Sequence, residues 1–434
     1  MPLLLSTAIA LFAGLMMTRV FKYVFHLKLP DVTSFLIAGV LVGPFCLGRI
    51  GVEGLGFSSM DDLKRVGFLS NVALGFIAFD IGNEFRLGQL KQTGKTATVI
   101  GIVQAVMATL MVDGALIALH FALGPDVLPL PVAITLGAIA SATAPAATLM
   151  VVRQYKAKGP VTDLLLPIVA LDDAVGLVVF AVSFGIAQAM EGGVLNVVSV
   201  IVNPLVEIGC SLLLGCIMGT LMTLMERIFF SNHNRLNMTI AFVMMTIALA
   251  SVEIPLGGGV KIAFSSLLVC MMLGTMFCNL CDFSADLMKR SERWTAPLYA
   301  VFFVLSGAQL DLSVFRYPVI ILIGVVYILV RCLGKYFGAL SSSSLMHCSA
   351  NVRKYLGVTL FPQAGVALGM VVTAQELGSG MGDTIRNIIL FSVLVYELVG
   401  PLLTKMSLTA AGEITSGATD EQNRARFETQ KQGA

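Results

Sequence analysis

Charge is what this chain has least of. Only 12% of its 434 residues are Asp, Glu, Lys or Arg, about half the share found in soluble domains. With 57% hydrophobic residues and a mean hydropathy of +0.89, this scarcity excludes an ordinary soluble enzyme and indicates a polytopic membrane protein in a lipid bilayer. The net charge is +2, and no nucleic-acid partner is expected. The opening stretch MPLLLSTAIALFAGLMM has neither a basic n-region nor a small-residue cleavage site, so it reads as a retained first span and not as a signal peptide. Cys278 and Cys281 form a lone CxxC without a second pair or a nearby His, and the eight cysteines are read as buried free thiols. The four histidines show no ligand spacing. No cofactor and no enzymatic chemistry are expected.

What is present is a series of apolar runs. At about 20 residues per span, thirteen are expected, at roughly 3–24, 30–49, 66–86, 97–122, 130–152, 162–188, 202–230, 237–253, 262–281, 296–310, 317–341, 354–375 and 385–407. Runs this long are helices and not barrel strands. With the N-terminus outside, sixteen basic residues, Arg153, Lys156 and Lys158 among them, fall in cytoplasmic loops and six, including Lys64 and Arg316, on the other side. That bias predicts an inner (plasma) membrane protein with its N-terminus out and its C-terminus in. Residues 1–407 form the membrane domain. Residues 408–434 are polar and aperiodic, an expected disordered tail too short for a regulatory nucleotide-binding domain.

The sixth run, TDLLLPIVALDDAVGLVVFAVSFGIAQ, carries Asp172 and Asp173 near its middle. One charge at bilayer depth costs roughly 2.5–3.5 kcal/mol on insertion scales, and two neighbouring carboxylates also repel each other. A purely structural span has no use for them. They are read as a seat that takes a cation or a proton in exchange for one another. Asp172 lies about 15 Å in from the cytoplasmic end at 1.5 Å per residue, and the adjacent side chains point about 100° apart, so they divide the work. In the eleventh run Arg331 and Lys335 share a helix face one turn apart; they are expected to compensate the acidic charge.

Two runs are interrupted. The fifth holds Ser141, Thr143 and Pro145 halfway across, and the twelfth holds Pro362, Gln363 and Gly365. Proline removes a backbone donor and breaks the preceding turn, which a membrane tolerates only where the freed groups face protein or a cavity. The breaks are seven spans apart. If spans 1–6 and 8–13 are inverted repeats joined by span 7, spans 5 and 12 are counterparts, a pattern that marks a transporter's binding site.

The segments ATAPAATLMVVRQYKAKGPVTDLLLPIVALDDA, RCLGKYFGA, LFPQAGVALG and ELVGP, with LPDVTSFLIAGVLVGPFCLG in the second span, together resemble the monovalent cation/proton antiporters, specifically the CPA2 branch. The resemblance implies an all-α fold of thirteen helices with crossed discontinuous helices, assembled as a homodimer. Spans 4–6 and 11–13 would be a moving ion-carrying core, and spans 1–3 and 8–10 the dimer scaffold. It implies that Asp173 binds Na+ in alternation with protons, that Asp172 pairs with Lys335, and that Thr143 and Gln363 lie in the two breaks. Glu397, in ELVGP, is a family feature without an assigned role. Asp80 in FIAFDIGNEF departs from the pattern, as either a polar contact to a neighbouring helix or an extra proton relay. Asp80 and Glu397 are thus accessory candidates, while Asp113 and Glu207 are read as ordinary polar contacts. A double aspartate without a regulatory domain favours electrogenic Na+/H+ exchange (Na+ or Li+). K+/H+ antiport is the alternative, and a sodium-coupled organic anion symporter a more distant one.

Overall fold

The computed structural model describes residues 2–23, 29–52, 54–83, 85–191, 202–252, 254–257, 260–310, 318–375, 377–378 and 380–414. The tail beyond residue 414, expected to be disordered, lies outside the described residues, as do Lys28 and Arg316 of the charge bias. Among the described residues fifteen α-helices follow in order: α1 (Pro2–Tyr23), α2 (Asp31–Val42), α3 (Met60–Asn83), α4 (Leu87–Leu123), α5 (Leu130–Ile139), α6 (Pro145–Gln154), α7 (Pro160–Met190), α8 (Asn203–Glu226), α9 (Asn232–Ala250), α10 (Ser266–Leu280), α11 (Ser284–Ala308), α12 (Pro318–Leu345), α13 (Ala350–Thr359), α14 (Gly365–Ala374) and α15 (Met381–Ala410). Each of the thirteen expected runs falls on one helix, except that the fifth falls on α5 plus α6 and the twelfth on α13 plus α14. Among the described residues, eight helical stretches are long and apolar enough to cross a bilayer.

Three departures from the expected boundaries have simple causes. The tenth run is expected at 296–310, but α11 begins at Ser284. Its first three turns carry Asp286, Lys289, Arg290 and Arg293, and hydropathy cannot see a helix that continues past the apolar zone. The eleventh run is expected to end at 341, yet α12 runs on to Leu345. There the hydroxyls of Ser341, Ser342 and Ser343 donate to carbonyls three or four residues back, so the serine run is satisfied within the helix. Between α9 and α10, β1 (Ile254–Gly257) pairs antiparallel with β2 (Val260–Ile262), a ribbon no apolar count suggests.

Buried apolar side chains gather into separate bodies. One contains Phe35, Phe76, Phe79, Met222, Val243, Leu273 and Phe303 and joins α1–α3 to α8–α11, touching α6 through Ala146 and Leu149. The others join α4–α7 to α12–α15. The closest approach in the second body is between α4 and α12. A β-carbon added to Gly334 would meet Ala108 Cα at 2.6 Å, and one added to Gly338 would meet Gln104 Cα at 2.6 Å. Small residues let helix backbones touch where lipid supplies no hydrophobic drive between spans. This contact brings the polar side chains of both helices to the same depth as α7's aspartates.

Candidate ion-binding site

The two breaks come from local chemistry. Pro145 sits in the first turn of α6, and Ala144 before it is extended at φ −87°, ψ 108°, as a residue preceding proline prefers. In the second break, residues 360–364 separate α13 from α14, and Gly365 opens the new helix. The breaks meet directly, the Ala144 amide donating to the Pro362 carbonyl at 2.8 Å.

Breaking a helix mid-membrane strands carbonyls at the C-terminal end of each first half. Arg331 collects them. Its Nε donates to Ala140 O at 2.9 Å, Nη2 to Ala142 O at 2.6 Å and Nη1 to Phe361 O at 2.7 Å. Gln363 Nε2 donates to Ile139 O at 2.8 Å and pairs with the Tyr327 hydroxyl. Arg331 is fully buried and lies 4.6 Å from the centroid of the Tyr396 ring. Both half-helix ends carry partial negative charge, so one guanidinium neutralises the two ends it also satisfies. Its three described hydrogen bonds go to backbone at the crossing, so the compensation of the aspartates expected of Arg331 would act through its charge and not through contact.

Lys335, one turn further on, does reach the carboxylates. Its Nζ lies 3.0 Å from Asp172 Oδ2, 2.9 Å from Thr143 Oγ1 and 2.5 Å from Ser141 O. The Thr143 hydroxyl donates to Asp172 Oδ2 at 2.5 Å, and Gln104 Nε2 donates to Asp172 Oδ1. Ser141 Oγ turns back to Ala138 O at 2.7 Å. Asp172 is thus paired and saturated. Asp173 is also buried, at 4% exposure, but its Oδ1 has no hydrogen-bond partner among the described residues. One carboxylate is tied to a lysine while its neighbour keeps an oxygen with no partner among the described residues. Among the described residues, no cluster of three or more His, Cys, Asp or Glu could hold a metal ion. A cation here would depend on Asp173 together with carbonyl, hydroxyl and amide oxygens, a ligand set suited to a hard alkali ion.

The accessory candidates lie elsewhere. Asp80 Oδ2 accepts from Arg153 Nη1 at 2.5 Å and from the Tyr299 hydroxyl. It therefore makes polar contacts to two neighbouring helices, joining α3 and α11 to the end of α6. Glu397 is 5% exposed, and its Oε2 has no partner among the described residues. Asp113 lies against Gly137 of α5. Sequence reasoning missed Gln104, whose signal was its place as the one amide in a 26-residue apolar run. It also missed Tyr327 and Tyr396, which carry no signal until the crossing exists.

Comparison with known proteins gives the same assignment. A family model described as the transmembrane sodium/hydrogen exchanger matches residues 7–410. The K(+)/H(+) antiporter subunit KhtU of Bacillus subtilis is 22% identical over 387 residues, 88% of each chain. The high-affinity Na(+)/H(+) antiporter NhaS3 of Synechocystis is 23% identical over 412 residues, 87% of this chain and 84% of its own. The fold is similar to that of the sodium proton antiporter MjNhaP1 from Methanocaldococcus jannaschii, with a TM-score of 0.64 at 19% identity over 95% of this chain and 97% of that one. The chain belongs to the transmembrane sodium/hydrogen exchanger family, and it is a multi-pass membrane antiporter for monovalent cations and protons, not an enzyme.

Proposed function

We propose that this protein exchanges Na+ for protons across the inner membrane by alternating access, with Asp172 and Asp173 as one shared seat. The observation that carries this reading is the asymmetry of the pair. Asp172 is held by Lys335, Thr143 and Gln104, while Asp173 Oδ1 is buried and unpartnered. Two carboxylates this close release protons in steps that belong to the pair. Sodium arriving at Asp173 displaces the proton held there and, by drawing on Asp172 as well, the proton that Lys335 carries while it is paired with Asp172 in the ion-free state. Two protons then leave for each Na+ bound, so the cycle moves net charge.

In this reading, α4–α7 and α12–α15 form the moving core, and α1–α3 with α9–α11 form the scaffold of a homodimer, with α8 as the link. The N-terminus faces outside and the C-terminus the cytoplasm. The separation of the buried apolar clusters along this division supports it. In everted vesicles, Asp173→Asn is expected to abolish exchange with every alkali cation; full activity in that variant would end the proposal. K+/H+ exchange is the second reading, favoured by the likeness to KhtU. In proteoliposomes, Na+ is expected to drive the pH jump at lower concentration than K+, and the reverse order selects potassium.

A further inference from the structure

A cavity of about 490 Å³ opens between the two bodies of the molecule. Lys64, Ser70 and Asn71 of α3 and Gln309 at the end of α11 form one wall; Glu397 of α15 and Ala364 of the second break form the opposite one. It runs from the end of the molecule where α3 begins down to the crossing. At the other end of α3, Asp80 is bonded to Arg153 and Tyr299. The exposed Lys64 near the start of α3 marks its mouth.

Two residues that line this cavity each keep a buried oxygen with no hydrogen-bond partner among the described residues, Glu397 Oε2 from the core and Ser70 Oγ from the scaffold. A buried polar atom left unmatched costs on the order of 1–3 kcal/mol, more for a carboxylate. Glu397 and Ser70 both border this cavity, whose lining is otherwise mainly apolar, so a ligand entering it is the available partner for these oxygens. The Asn71 and Gln309 side chains add amide oxygens nearby. Lys64 is the other charged group lining the cavity, and its ammonium is already engaged at 3.1 Å by Asp61 at the exposed mouth. Below that mouth the titratable group lining the cavity is the Glu397 carboxyl, accompanied by hydroxyl and amide oxygens. That chemistry fits a partly hydrated alkali cation.

We propose that Glu397 and Ser70 form an entry site, where the transported cation pauses on its way to Asp173. The proposal rests on the exchange reading above and deepens it. Since one ligand belongs to each body, the site is assembled only while the cavity is open, and it acts on one side of the membrane alone. Glu397 raises the local cation concentration beside the crossing without taking part in the proton exchange itself.

The test is the sodium concentration giving half-maximal exchange, measured with sodium offered from each face in right-side-out and everted vesicles. Glu397→Gln is expected to raise it roughly three- to tenfold from the face where α3 begins and to leave it unmoved from the other. Ser70→Ala, which changes no charge and carries the test if the first variant does not fold, is expected to raise it about twofold from the same face. An unmoved value from that face, an equal rise from both faces, or a folded Glu397→Gln protein inert at every sodium concentration overturns the entry site. Asp173→Asn assayed alongside keeps the two readings apart. An active D173N overturns the central seat, whereas an inert D173N with an unmoved E397Q overturns the entry site only.

Discussion

Lys335 and Arg331 are both fully buried on one face of α12, yet they serve different partners. The ammonium meets Asp172 at 3.0 Å, and the guanidinium meets three carbonyls of the crossing. Lys335→Gln removes the charge while keeping a donor, and it is expected to abolish the voltage dependence of exchange in solid-supported membrane recordings. Unchanged voltage dependence would mean that the lysine is not part of the charge balance. Arg331→Lys keeps the charge but loses the fork that spans both breaks, so it is not a conservative change. It is expected to lower the thermal midpoint as Arg331→Ala does, by several degrees. A lysine variant as stable as wild type would show that charge alone suffices. The residue types of this site were legible in the sequence because carboxylates and cations are rare in apolar runs. What Arg331 binds was not, because the carbonyls it satisfies are orphaned only once two helices break and cross.

At the scale of elements, the site depends on how closely α4 and α12 approach. Gly338 sits where a β-carbon would fall 2.6 Å from Gln104 Cα, and backbone cannot swing aside as a side chain can. Gly338→Val forces the helices apart, at a cost of about 1–3 kcal/mol or more, and draws Gln104 and Lys335 away from Asp172. A lower melting temperature together with slower exchange is the expected result. A stable, fully active variant would show that the contact is dispensable. The broken helices were legible because Pro145 and Pro362 punctuate otherwise apolar runs. The entry of α11 was not, because its charged first turns look like a loop to a hydropathy count. The ribbon at 254–262 left no trace in the composition.

For the whole molecule, the Asp80–Arg153 pair ties α3 to α6 across the two bodies, with Asp80 fully buried and Arg153 at 18% exposure. Removing one partner of a buried pair strands the other at roughly 3–5 kcal/mol, so Asp80→Asn is expected to destabilise the protein more than the double Asp80→Asn, Arg153→Gln. Equal melting temperatures for the single and double variants would contradict coupling between the two. If the bodies move against each other, this contact also has to open during the cycle. With the eight native cysteines replaced, linking Asp80→Cys to Arg153→Cys with a reductant-cleavable reagent is expected to arrest exchange until reductant is added. Continued exchange under a verified link would rule out motion at this contact. Asp80 stood out in the sequence as a departure, but its partner did not, because Arg153 lies 73 positions away at what looks like a loop.

The central claim is that one buried seat holds either sodium or a proton. Proton release from the detergent-solubilised protein on adding NaCl, in weakly buffered solution at constant ionic strength, measures this most directly. The account predicts release from the wild type and none from Asp173→Asn. Equal release from both would place the exchange of proton for metal somewhere other than Asp173 and contradict it.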